Sequence, residues 1–255
     1  MIGIFVFLLD ILLFFHLTLA KSEKEDKSLH LPTSDCVFHN ASPAIFCRHT
    51  DSLYVQEWLS KNFSVNPKSI SEISLRLCDI SVLPNMFSII NKNLDRISVA
   101  NSKLETILRN TFNQVQDGLR YLDLSGNKLQ RIPRAIENIT TLEWLNLADN
   151  DIGFLPEGPS MFKLYNLRYL NLAWNRLSMI EDIQTGLVNS SRGAMHLGVF
   201  NLEPLRSSLE YLNLRGNGIR SFPEQFKRPF DKLQHLDLSF NKISSKYTLH
   251  FILGL

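Results

Sequence analysis

Cysteine is scarce in this chain, three in 255 residues, so cross-links cannot hold most of it together. Glycine and proline are sparse as well, at 11 and 10, which excludes collagen-like and low-complexity chains. Charge of one sign is not in surplus: 27 Lys and Arg face 25 Asp and Glu, a net charge of +2. That balance argues against nucleic acid or another polyanion as partner, and the lysines of KSEKEDK are interleaved with acids as in a solvated linker. Apart from residues 2–20 no apolar run is long enough to span a bilayer. The seven histidines form no H-x-x-x-H pair, no cysteine pair has zinc spacing, and no phosphate-cradling glycine loop is present. The sequence therefore nominates no catalytic residue, metal ligand or cofactor.

What the chain has in abundance is one repeated spacing. The block Leu119-Arg-Tyr-Leu-Asp-Leu-Ser-Gly-Asn127-Lys-Leu129 fits L-x-x-L-x-L-x-x-N-x-L, and full copies start at Leu142, Leu167, Leu209 and Leu233. Looser copies start at Ile70 and Leu94, with Cys78 and Ser102 in place of the asparagine. Successive starts are 24, 25, 23, 25, 42 and 24 residues apart, a period that fixes a stacked architecture. Apolar residues at template positions 4 and 6 point to one side of a short strand, and positions 3, 5 and 7 to the other. Each copy thus donates one strand to a parallel sheet. The asparagines (Asn127, Asn150, Asn175, Asn217, Asn241) follow where the chain turns inward, and a buried amide there can satisfy backbone groups of neighbouring turns.

In these motifs, from residue 70 to 243, the chain resembles the leucine-rich-repeat family. Return segments with Pro after an apolar residue and a later Phe (Ile132-Pro133; Leu155-Pro156 with Phe162; Phe222-Pro223 with Phe226; Phe112 without the Pro) resemble its 24-residue extracellular type. The resemblance implies an α/β repeat solenoid, a horseshoe with its parallel sheet on the concave face, and capped ends. Residues 21–69 are the expected N-terminal cap, with a Cys36–Cys47 disulfide and a short helix around Val55 to Leu59; two free thiols are the alternative. Residues 70–182 hold repeats one to five, 183–207 an insertion loop on the return side, and 208–255 repeats six and seven. The C-terminal cap is expected to be missing or incomplete, which would leave an end open to association.

Residues 1–20 read as a cleavable secretory signal ending at Ala20. A retained membrane anchor is the competing reading, with Asp10 in mid-span against it and the lack of a preceding Lys or Arg in its favour. Asn40, Asn62, Asn138 and Asn189 open glycosylation sequons, and none occupies a concave position. Function is expected on the concave face, where position 3 reads Glu72, Arg96, Tyr121, Trp144, Tyr169, Tyr211 and His235, and position 8 adds Trp174 and Phe240 at the strand edge. The seven from Tyr121 onward, aromatic or imidazole, are the partner-binding candidates, because such side chains give large contact area at low entropic cost. The same tyrosines would also suit ladder packing.

The expectation is a secreted or cell-surface protein-binding scaffold. Two alternatives are a membrane-anchored intracellular adaptor and a truncated, decoy form of a longer receptor. Intact mass after secretion from eukaryotic cells separates the compartments: a glycosidase-sensitive species starting at Lys21, two mass units lighter than its reduced form, is expected. A cell-retained, unglycosylated species starting at Met1 would contradict it.

Overall fold

Strands of three residues hold only as members of a ladder. The computed structural model of the protein describes residues 35–63, 70–90, 94–153, 163–177, 202–219 and 230–243. It sets such strands into a nine-stranded sheet of order β1-β2-β3-β5-β7-β8-β9-β10-β11. These are β1 (Asp35–His39), β2 (Ala44–Arg48), β3 (Glu72–Arg76), β5 (Arg96–Ala100), β7 (Tyr121–Asp123), β8 (Trp144–Asn146), β9 (Tyr169–Asn171), β10 (Tyr211–Asn213) and β11 (His235–Asp237). The first pair is antiparallel and every later pair parallel. Two-residue strands β4 (Val82–Leu83) and β6 (Thr106–Ile107) pair on the return side.

Pairing is in register by template position: Glu72, Arg96, Tyr121, Trp144, Tyr169, Tyr211 and His235 lie opposite one another in turn. Ile73, Ile97, Leu122, Leu145, Leu170 and Leu212 form the next row and are buried in the core. The inward-pointing leucines pack against return-segment side chains, among them Phe87 and Phe112, whose rings stack 5.9 Å apart. A burial this continuous is what lets each repeat hide an apolar face it could not hide alone.

The turn after each strand is set by position 8, which has a positive φ throughout: Leu77 (54°), Asn101 (54°), Gly126 (65°), Asp149 (56°), Trp174 (55°), Gly216 (68°) and Phe240 (57°). Position 9 then satisfies the backbone. Asn127 accepts the N–H groups of Ser102 and Leu104, both at 3.0 Å, and donates to the carbonyls of Val99 and Leu124 at 2.7 and 2.9 Å. Asn150, Asn175, Asn217 and Asn241 repeat the bridge, each donating to the position-6 carbonyl of the preceding repeat at 2.8–2.9 Å. Toward the N-terminal end the amide row becomes a hydroxyl and thiol row. Ser102 Oγ accepts the Cys78 N–H at 3.2 Å, and Cys78 Sγ lies 3.3 Å from Thr50 Oγ1.

Thr50 reveals that the frame begins earlier than the leucines do. β2 carries Ala44, Ile45, Phe46 and Cys47 at the template's positions 3 to 6, His49 has the positive φ of position 8 (53°), and Asp51 bridges to Asp79. β1 turns back on β2, and the expected bond joins the directly opposed Cys36 and Cys47 (S–S 2.00 Å). The helix α1 (Ser52–Phe63) follows, buries Val55, Leu59 and Phe63, and is capped by Asp51, whose Oδ1 accepts the Tyr54 N–H at 2.8 Å.

The long step between Leu167 and Leu209 leaves the ladder unbroken, since Tyr169 pairs with Tyr211. The loop expected over 183–207 ends before Leu202: Leu202 and Leu205 are buried, and Leu205 accepts the Leu209 N–H at 2.9 Å, the work of an ordinary return segment. The rest of that loop, the expected signal at 1–20, Phe162, Phe226 and the tail from 244 onward lie outside the described residues. Among the described residues no helix is long and apolar enough to cross a membrane.

One edge of the sheet carries alternating charge at position 2. Arg120 lies 3.7 Å from Asp95 and 3.6 Å from Glu143, and Arg168 forks onto Glu210 at 2.9 and 3.0 Å.

The asparagine row generates a mutational test. Asn150→Leu removes the acceptor of the buried Leu129 N–H (3.0 Å) and leaves the Leu124 carbonyl with Asn127 alone, which should cost on the order of 2 kcal/mol. Asn150→Ser, copying Ser102, should cost less; equal denaturant midpoints for both variants and the parent would refute the bridge.

Candidate functional site

The in-register sheet puts like positions about 4.8 Å apart, within the centroid separation of offset-stacked rings. Position 3 uses that coincidence. Tyr121, Trp144, Tyr169, Tyr211 and His235 form one continuous stack, with centroids 3.9, 4.7, 4.4 and 4.4 Å apart and planes within 11° of parallel. The Arg96 guanidinium caps the stack, 5.0 Å from the Tyr121 centroid. Because the ring faces are spent on one another, what the row leaves open is ring edges; the four aromatic residues and the histidine are half-buried, and the Tyr121 hydroxyl itself is buried.

Burial pushes the Tyr121, Tyr169 and Tyr211 phenols above their ordinary range, and the Asp123 carboxylate raises the first further. Glu72, beside Arg96 at the start of the row, is raised by burial, which outweighs the opposing pull of Arg96 and Arg76. The tyrosines of this surface are thus neutral contact groups throughout the physiological range, suited to packing and hydrogen bonding.

Position 5 is tied to the turn. Asp123, Asn146, Asn171, Asn213 and Asp237 each use Oδ1 to accept the backbone N–H two residues on, at 2.8–3.1 Å. These bonds hold the strand end where position 8 takes its positive φ. Burial raises the Asp123 carboxyl, against the bonds from Ser125. For the half-buried Asp237, burial is the largest single influence and raises the carboxyl, but the bonds from Ser239, with Arg215 and His235, together bring it below its ordinary value.

Trp174 and Phe240 are separate from the ring row, on the edge where the strands end, and both are exposed. Sequence spacing placed them there but missed their companion, Arg215 at position 7 of the repeat between, whose guanidinium lies 4.0 Å from the Phe240 centroid. The remaining expected site residues are distributed elsewhere. Asn40 lies in the exposed β1–β2 turn, and Asn62 is exposed near the end of α1, with its amide donating to the Trp58 carbonyl at 2.7 Å. Asn138 is exposed beside a polar recess lined by Arg109, Asn110, Asn113, Arg134 and Glu137, and Asn189 lies outside the described residues. Among the described residues no group of three His, Cys, Asp or Glu side chains is placed to hold a metal.

Parallel three-residue strands, an asparagine-bridged turn and irregular return segments define the leucine-rich-repeat class of solenoid. Sequence models described as leucine rich repeat match residues 92–152, 208–228 and 232–246. Similar proteins include osteomodulin of Mus musculus, 29% identical over 205 residues, which cover 75% of this chain and 46% of osteomodulin. Tsukushi of Gallus gallus is 30% identical over 190 residues, 69% of this chain and 49% of its own length. Toll-like receptor 3 of Boselaphus tragocamelus is 32% identical over 165 residues, 62% of this chain and 17% of its own. Among solved structures, the chain in the crystal structure of the TLR13-ssRNA13 complex shares the fold, with a TM-score of 0.58 at 21% identity over 84% of this chain and 27% of that one. The chain belongs to the leucine-rich-repeat family. It spans about half the length of osteomodulin and Tsukushi.

Asp123 yields a pH-dependent prediction. A carboxyl whose folded pKa is raised supports the fold best below its unfolded value and withdraws that support as pH rises. Asp123→Asn keeps the Oδ1 acceptor that Asn146 uses, so it should raise the thermal midpoint by a few degrees at pH 7 and change it little at pH 3. The same difference at both pH values would contradict burial as the cause.

Proposed function

We propose that the chain is a secreted or cell-surface scaffold that holds a protein partner on the concave face of its repeats and performs no chemistry of its own. The observation carrying this reading is the row from Tyr121 to His235, five stacked rings beside a polar row of Asn and Asp. Aromatic side chains already fixed by stacking lose little entropy when a partner covers them. Six inter-strand gaps span roughly 29 Å, the width of an ordinary protein interface. Family membership supports a protein-interaction role. The extracellular placement is supported by the Cys36–Cys47 bond, which an oxidising compartment favours, and by sequon asparagines that are exposed where they are described.

The concave face can be blocked without touching the rings. Ala148→Thr completes an Asn-x-Thr sequon at Asn146, and Ala173→Thr does so at Asn171, while both asparagines retain Oδ1 for their turn. Either variant, secreted and shown to carry the extra glycan, should lose capture of the extracellular proteins that the parent binds in an ectodomain array; the half-buried Ala148 site should keep the parent's melting midpoint, whereas Ala173 is buried and its replacement should lower it. Capture undiminished by a glycan at both positions would overturn concave-face binding.

A further inference from the structure

The edge where the strands end carries a second feature that the ring row does not need. Trp174 and Phe240 stand at position 8 with φ of 55° and 57°, a conformation that bulky side chains adopt at a cost. They are nevertheless half or more exposed, 50% and 67%, so burial does not repay that cost. Their rings lie 5.9 Å apart at 50°, with the Arg215 guanidinium against both, 4.0 Å from the phenyl centroid and 5.9 Å from the indole. The repeat between them has Gly216 at position 8, directly beneath the indole: a Cβ there would come within 2.4 Å of Trp174 Cε3. A glycine in the middle and aromatic residues on either side thus let Trp174 lie across toward Phe240.

Arg215 is held but not saturated. One of its terminal nitrogens donates to Ser239 Oγ at 3.0 Å and makes a long ion pair with Asp237 Oδ2 at 3.9 Å, while Asp237 Oδ1 accepts the Ser239 N–H at 2.8 Å; among the described residues no acid closes the other side of the fork. Arg168 shows the contrast, with both ends of its fork closed on Glu210 at 2.9 and 3.0 Å. A guanidinium fixed between rings, with open donors in its plane, is prepared for a carboxylate, which it can meet with two parallel bonds.

We propose that Trp174, Arg215 and Phe240 form a docking site for a partner segment that presents a carboxylate beside an apolar side chain. The carboxylate closes the open fork of Arg215, and the apolar group covers the exposed indole and phenyl faces. The site rests on the reading of this chain as a protein-binding scaffold, but lies on the strand-end edge, so the two can fail separately.

Random-peptide display against the secreted full-length protein tests it. The expected winners carry Asp or Glu next to Leu, Ile, Phe or Trp. Their binding should weaken about tenfold or more in Arg215→Gln and in the double variant Trp174→Asn with Phe240→Asn, and should also fall with added salt. Asparagine suits a positive φ, as Asn101 shows at the same position, so the double variant should melt no lower than the parent. Binding of the winners should survive the glycan at Asn146. Several outcomes would overturn the proposal: no enrichment, winners without an acid such as proline-rich peptides, winners indifferent to the edge variants, or parent self-association lost in those variants. Winners lost only to the concave glycan would sink the edge site and leave the concave reading standing.

Discussion

The structure depends on what happens to the backbone at the end of each strand. After its short strand the chain turns into an apolar interior, carrying amides and carbonyls that no sheet partner reaches. One asparagine per turn meets both needs, its oxygen taking N–H groups of the preceding repeat and its amide the carbonyls of both. Unpaired, each of those groups would cost about 1–3 kcal/mol. Everything else follows from the turn being fixed in this way: the strands are in register, like positions form rows, and whatever side chain a position carries is repeated as a stripe.

That dependence explains what could be read from the residues alone. The period, the parallel sheet, the position-3 row and the disulfide were legible because each is carried by a residue type that recurs at fixed spacing or stands alone. The cap strand β2 was not. It keeps the geometry while replacing the markers, with Ile45 and Cys47 in the core rows and Thr50 in the asparagine's place. Thr50, Cys78 and Ser102 carry the bridge on shorter side chains: Ser102 Oγ accepts the Cys78 N–H and donates to the Ala100 carbonyl, and Cys78 Sγ reaches the Arg76 carbonyl. The end of the insertion was hidden for a similar reason, since Leu202 and Leu205 act as a return segment in which Pro204 follows Glu203 rather than an apolar residue, and Phe200 comes before the Pro rather than after it. Arg215 escaped because position 7 holds Arg, Ala or Ser across the repeats, and its role appears only when Trp174 and Phe240 are seen in space.

The ring row also shows how packing and recognition share the same atoms. Stacking consumes the faces that would otherwise grip a ligand, and in exchange it fixes the edges in place. Trp144 stacks on Tyr121 and Tyr169, so a truncation there would disturb fold and surface together. Trp174 and Phe240 are the opposite case, exposed, backbone-strained and dispensable to the core. A surface whose residues the fold does not need is the better place to look for selection by a partner.

The alternating charges along position 2 bear on how such an array changes length. Asp95, Arg120, Glu143, Arg168 and Glu210 alternate in sign from one repeat to the next. Loss or duplication of a single repeat within this stretch would set two like charges side by side, whereas a change of two repeats would preserve every neighbour. Each pair contributes little, yet five alternating charges in sequence give the stretch a parity that only a change by an even number of repeats keeps.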